Sequence, residues 1–311
     1  MRARERRPGT DPAAEGPGPG STTGVRSRIR AVFGDAGVTG RLHALDLTTG
    51  AEVALAADTP VSTASVHKLC LAVTVQRFAD EGRLDPDEQV ESGPADRTPG
   101  PTGLSMLTGT VRMPVRDLLA MSLTVSDNAA ADLLIDRVGL DGVNAAMRAL
   151  GLRRTVAVLT MRELIDSIDE DSGGDPARLT SDPATLARLR VLDPARANRS
   201  TPREMTRLLA AVWRDEACSP GRARELRDIL GRQVWPHRLS SGFPYDDVRV
   251  HGKTGTLPTL RHEVGVVEYP DGGRYAVAVF TRAARAAVRQ PAADAAIGTA
   301  ARLAVEALRA V

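Results

Sequence analysis

Aromatic side chains make up only 3% of this 311-residue chain, too few to build a stacking platform for single-stranded nucleic acid. Cysteine is scarce as well: Cys70 and Cys218 stand far apart, with no Cys-x-x-Cys pair. That spacing argues against a thiolate metal cluster, and Cys70, inside an apolar run, reads as a small core side chain. The five histidines, His43, His67, His237, His251 and His262, show no His-Glu-x-x-His or similar ligand spacing. Neither metal nor cofactor is expected. The formal net charge of +2 is too small to call for a nucleic-acid or acidic partner. No apolar run reaches the roughly 18 residues that a membrane span needs. Residues 1–24 are rich in Arg, Pro and Gly and lack the apolar segment of a secretory signal. They read as a disordered tail, and the chain as cytoplasmic, or secreted if the true start lies elsewhere.

What the chain does have is a normal globular balance, 42% hydrophobic and 26% charged, enough to bury a sizeable core. Arg41–Leu47 and Glu52–Ala56 flank a Thr-Thr-Gly turn and predict a β-hairpin, preceded by a helix over Val25–Phe33. Ser62-Thr63 offers cap chemistry for a helix from Ser65 to Glu81, whose stretch Leu69–Val75 is almost wholly apolar. Apolar spacing predicts further helices over Val115–Leu123, Asn128–Val138, Leu140–Leu150, Thr201–Asp215 and Ala223–Arg232. Arg153–Asn198 reads as irregular and acidic. Strands follow at Val248–Lys253, Val264–Tyr269 and Tyr275–Thr281, and a helix over Ala292–Ala310 closes the chain. The simplest assembly is a mixed α/β (α+β) fold, with a five-stranded antiparallel sheet built from both chain ends and flanked by terminal helices. An all-helical lobe stands beside it across a cleft. The sheet lobe takes about residues 25–62 and 245–311, and the helical lobe about 63–244.

Three short stretches carry chemistry. Ser65-Val66-His67-Lys68 sets a hydroxyl and an amine on one face of a helix start, where a desolvated lysine can take the serine proton. Helical geometry turns His67 off that face, toward packing. Ser126-Asp127-Asn128 opens the next long helix, and Lys253-Thr254-Gly255-Thr256 lies on a strand where Gly255 permits close backbone approach. Each alone is common: a capped helix, a good helix start, an edge strand with a lysine.

Together and in this order they make the chain resemble the class A β-lactamases and the wider penicillin-recognising serine hydrolases. The resemblance runs from about Val25 to Val311. It implies a β-lactamase/transpeptidase-like fold, a small-molecule substrate (a β-lactam or related amide or ester), and a monomer that engages neither nucleic acid nor membrane. By resemblance, Ser65 is acylated, Lys68 helps deprotonate it, and Ser126 passes a proton to the leaving nitrogen. Asn128 would hold the substrate amide, Lys253 would set the field around Ser126, and Thr254, Gly255 and Thr256 would frame the substrate carboxylate. The backbone N–H groups of Ser65 and Thr256 would form the oxyanion hole. Arg238 stands where some members keep a carboxylate-binding arginine, with Arg261 as second candidate. The family deacylates through a Glu-x-x-x-Asn loop. Here Glu163-Leu164-Ile165-Asp166-Ser167 stands in that region without the final Asn, and Glu163 is the candidate base. Hydrolysis of a β-lactam leads. An esterase, peptidase or acyltransferase on the same scaffold, and a non-hydrolytic β-lactam-binding protein, are the alternatives.

Overall fold

A computed structural model describes residues 22–310. Residues 1–21, on which the expected tail and compartment rest, lie outside the described residues, while Thr22 already begins the first helix, α1 (Thr22–Asp35). Strand β1 (Val38–Asp46) turns into β2 (Glu52–Leu55). The turn is held by the Asp46 carboxylate, which accepts from the Thr48 and Thr49 amides at 2.8 and 3.2 Å. Near the other end of the chain come β3 (Arg249–Leu257), β4 (Leu260–Glu268) and β5 (Arg274–Ala283). All five pair antiparallel in the order β2-β1-β5-β4-β3. The first hairpin therefore joins the last strand, which closes the two chain ends into one sheet.

Side-chain alternation along β5 gives this sheet two buried faces. Val277 and Val279 point to a core shared with Val25, Ile29 and Phe33 of α1 and with Ile297, Ala301 and Val305 of α8 (Pro291–Arg309). Ala276, Ala278 and Phe280 point instead into the larger core of the helical lobe. At the centre of that lobe runs α2 (Lys68–Asp80), whose residues from Leu69 to Val75 are all buried. Burial contributes about 1.5–3 kcal/mol for each large side chain.

Around α2 stand α3 (Val115–Thr124), α4 (Asn128–Ala149), α5 (Met161–Ser172), α6 (Pro202–Trp213) and α7 (Pro220–Leu230). The division expected between Val138 and Leu140 corresponds to an interruption of α4 at Gly139, whose φ of 70° is not helical. Helix α5 is a correction to the irregular reading of 153–198. Thr160 and Glu163 form a capping box at its start, and Met161, Leu164, Ile165 and Ile168 face the lobe. That start signal and that i, i+3, i+4, i+7 spacing are present in the sequence. The acidic residues that masked them, Asp166, Asp169 and Glu170, lie on the exposed side.

Candidate active site

The turn that carries Ser65 is the first thing the fold positions. The expected helix from Ser65 begins as a 3₁₀ turn, Ala64–His67, and the α-helix proper starts at Lys68. Ala64 has φ of +48°, a strained value for a residue with a Cβ. The sheet fixes this turn from the side. A Cβ on Gly255 would lie 2.8 Å from the Thr63 carbonyl oxygen and 3.0 Å from a Val66 methyl, so only glycine lets β3 pack this closely against the turn.

The second stretch is held by Asp127. Its fully buried carboxylate accepts from the amides of Ala129 and Ala130, capping α4, and from the Leu104 amide at 2.6 Å. Ser126, with φ of +61°, is thereby presented at the tip of the turn. Its hydroxyl receives a hydrogen bond from Lys253 Nζ at 2.9 Å, and Lys68 Nζ lies 3.4 Å away. Lys68 also donates to the Ser126 carbonyl at 2.6 Å and to Asn128 Oδ1 at 2.8 Å. Asn128 Nδ2 in turn donates to the Pro99 carbonyl at 3.0 Å. The three sequence stretches thus meet around one hydroxyl.

Both lysines are buried, Lys68 2% exposed and Lys253 fully enclosed. Burial pushes the Lys68 ammonium down to about 7, against the partial support of Asp127 and Asp132. Burial lowers Lys253 well below its ordinary value too, with the like charge of Lys68 adding to the shift. A lysine that is substantially neutral near pH 7 can act as a base. His67 is buried, with neither ring nitrogen hydrogen-bonded, and burial pushes it down to about 4. It is an uncharged packing residue.

Ser65 opens onto a cleft of about 370 Å³ lined also by Ser126, Asn128, Thr254, Thr256 and Arg238. Arg238 is oriented by four hydrogen bonds: to Asp294 Oδ1 at 2.7 Å, and to the carbonyls of Gly255 and His262 and the Thr256 hydroxyl, each at 2.9 Å. Arg261, the alternative, is corrected. Its guanidinium is spent on the carbonyls of Leu257, Leu260, Ala287 and Val288, and it does not line the cleft. Glu163 is corrected as well. It is exposed, and its carboxylate accepts from the Thr160 amide at 2.8 Å as part of the helix cap. It lines neither the cleft nor the second cavity beside Ser65.

Among the lining residues that the three motifs do not single out are Trp235 and His237, whose rings meet edge to face at 6.3 Å on the wall near Arg238. One of only two tryptophans, two residues from His237 and three from the favoured arginine, was the available signal.

The chain matches the beta-lactamase enzyme family over residues 24–308. It is 36% identical to the beta-lactamase regulatory protein BlaB of Streptomyces cacaoi, over 88% of this chain and 94% of that protein. It is 31% identical to a beta-lactamase of Amycolatopsis lactamdurans, over 86% of this chain and 80% of that one. Among solved structures, a beta-lactamase from Sphaerobacter thermophilus superposes with a TM-score of 0.77 at 26% identity, covering 94% of this chain and 99% of its own. Matched over nearly its whole described length, the chain belongs to the beta-lactamase enzyme family.

Proposed function

We propose that this protein is a serine hydrolase that opens β-lactams through an acyl-Ser65 intermediate. The observation that carries the reading is the Ser126 hydroxyl, held at 2.9 Å by Lys253 and approached at 3.4 Å by Lys68, on the same cleft as Ser65. Neutral Lys68 takes the proton of Ser65 as its Oγ attacks the lactam carbonyl carbon. The oxyanion would be met by the backbone N–H groups of Ser65 and Thr256, and the close approach of Gly255 to Thr63 and Val66 supports that reading. As the C–N bond breaks, the proton passes from Lys68 through the Ser126 hydroxyl to the departing nitrogen, and Lys68 is neutral again. Arg238, Thr254 and Thr256 offer a cationic guanidinium and two hydroxyls to the carboxylate of the substrate. Asn128, on the same cleft, would hold its amide side chain.

The test is direct. Purified protein is mixed with a chromogenic cephalosporin, and colour and intact mass are followed together. Colour beyond one equivalent, with a transient acyl mass on wild type, supports the reading. An unmodified protein without colour removes it. The acylation rate should rise with pH through about 7, because the lysine is the active base only once its proton is lost.

A further inference from the structure

The cleft around Ser65 is polar on one side only. On the other side lies a second cavity of about 360 Å³, walled by Met161, Leu164, Ile165 and Ile168 of α5 and by Leu257 and Pro258, with Ser65 and Asn128 at its rim. Among the described residues no ionisable side chain lines it. Among the described residues the first cleft has no carboxylate either, and His237 and Arg238 are its only ionisable lining groups. We propose that Lys68 is the general base for both halves of the cycle here, and that hydrolysis of acyl-Ser65 therefore lags behind its formation. This rests on the β-lactam reading above.

The carboxylates nearest to Lys68 are committed elsewhere. Asp127 is held by the amides of Leu104, Ala129 and Ala130. Asp132 accepts from the Thr98 hydroxyl at 2.5 Å and from the amides of Met161 and Arg162 at 2.7 and 2.8 Å. It spends its oxygens on the start of α5. Glu163 is turned into the cap of that helix.

The charged and titratable groups around Lys68 are thus Asp127 and Asp132 from the α4 side, Lys253 from β3, and neutral His67 beside it. Helix α5 brings it only Met161, which lines the same small apolar space. Lys68 reaches the two cavities through its hydrogen bonds, to Asn128, which lines both, and to Ser126, which lines the first.

The step balances without any further group. Water oxygen attacks the acyl carbon and gives its proton to neutral Lys68. The acyl C–O bond then breaks, and Lys68 returns that proton to Ser65 Oγ, releasing the ring-opened acid. A water entering from the α5 side meets aliphatic walls and few hydrogen-bond partners, which makes this half slow.

The experiment uses the full chain and a chromogenic cephalosporin in rapid mixing. A one-equivalent burst followed by a slower linear phase, with the acyl mass dominant during turnover, is the expected result. The adduct, separated from excess substrate, should decay faster as pH rises through about 7, in wild type and in His237→Gln alike. Leu164→Glu puts a carboxylate into the apolar cavity and should speed decay about tenfold or more, where Leu164→Gln does not. Linear colour with no burst and no accumulated adduct overturns the proposal. So does loss of the pH dependence in His237→Gln, which would make the imidazole the base. The wild-type decay profile decides even if the Leu164 variants fold poorly. No colour and no adduct would instead remove the β-lactam reading itself.

Discussion

The two sides of Ser65 differ in kind. Toward α4 and β3, Ser65 shares its cleft with Ser126, a strained serine whose hydroxyl is approached by two buried amines, and with a guanidinium fixed by four hydrogen bonds. Toward α5 it faces Met161, Leu164, Ile165 and Ile168. In the proposed mechanism the first side makes the acyl-enzyme, with attack, proton relay and charge stabilisation drawn from groups on that side. The second side supplies only shape. On the proposed cycle, acylation and hydrolysis of the acyl-enzyme are served by unequal chemistry within one cleft.

The polar side breaks most severely at the nucleophile. Ser65→Ala should lower acylation by about 10⁴-fold or more while leaving the fold intact, because it removes the hydroxyl that the proposed mechanism acylates. Intact mass after incubation with a β-lactam reads this out, and labelling equal to wild type would place the nucleophile elsewhere. Lys68→Ala should come next, slowing acylation by about 10²–10⁴-fold. It should also flatten the rise with pH that deprotonation of Lys68 gives the wild-type rate. A variant that kept that rise would assign the base to another group.

Arg238→Ala should cost less in chemistry, about 10–100-fold in kcat/KM and mostly through KM, since it removes a carboxylate contact rather than a reacting atom. It also leaves the largely buried carboxylate of Asp294 without its 2.7 Å partner. Thermal or denaturant unfolding should therefore show a loss of about 2–4 kcal/mol. Kinetics changed through kcat alone would separate this arginine from substrate binding.

The polar side was also the legible side. Ser65 and Lys68 share a helix face because of their spacing, and Ser126 and Lys253 sit in short stretches whose local structure the neighbouring residues dictate. The five-stranded sheet followed from strand periodicity and turn residues in the same way. Choosing between Arg238 and Arg261 was a different problem. Both lie near β3 and β4, and only the carbonyls of Leu257, Leu260, Ala287 and Val288, gathered from separate segments, show that Arg261 is spent inside the sheet lobe. The apolar side was hidden for a related reason. In α5 the exposed acids dominate composition, and the residues that matter to the cleft are the ordinary aliphatic ones beneath them. Their consequence for Ser65 depends on where α5 docks, which Asp132 sets through two backbone amides 29 and 30 residues away.

The smallest expected effect sharpens the contrast between the two sides most. By sequence position Glu163 is the natural choice for the base that activates water on the acyl-enzyme. In the fold its carboxylate points back to the Thr160 amide, at 2.8 Å, and the Thr160 hydroxyl accepts from the Glu163 amide at 3.1 Å. Glutamine satisfies a capping box as glutamate does, so Glu163→Gln should change stability by no more than about 0.5 kcal/mol. If the cap is all that Glu163 provides, adduct decay in this variant should stay within about twofold of wild type, against the 10²–10⁴-fold that loss of a general base brings. Persistence of the acyl mass in Glu163→Gln, measured beside wild type at the same pH, would show that the start of α5 rearranges to bring this carboxylate to Ser65. The apolar side would then not be apolar during turnover, and the inequality between the two half-reactions would disappear with it.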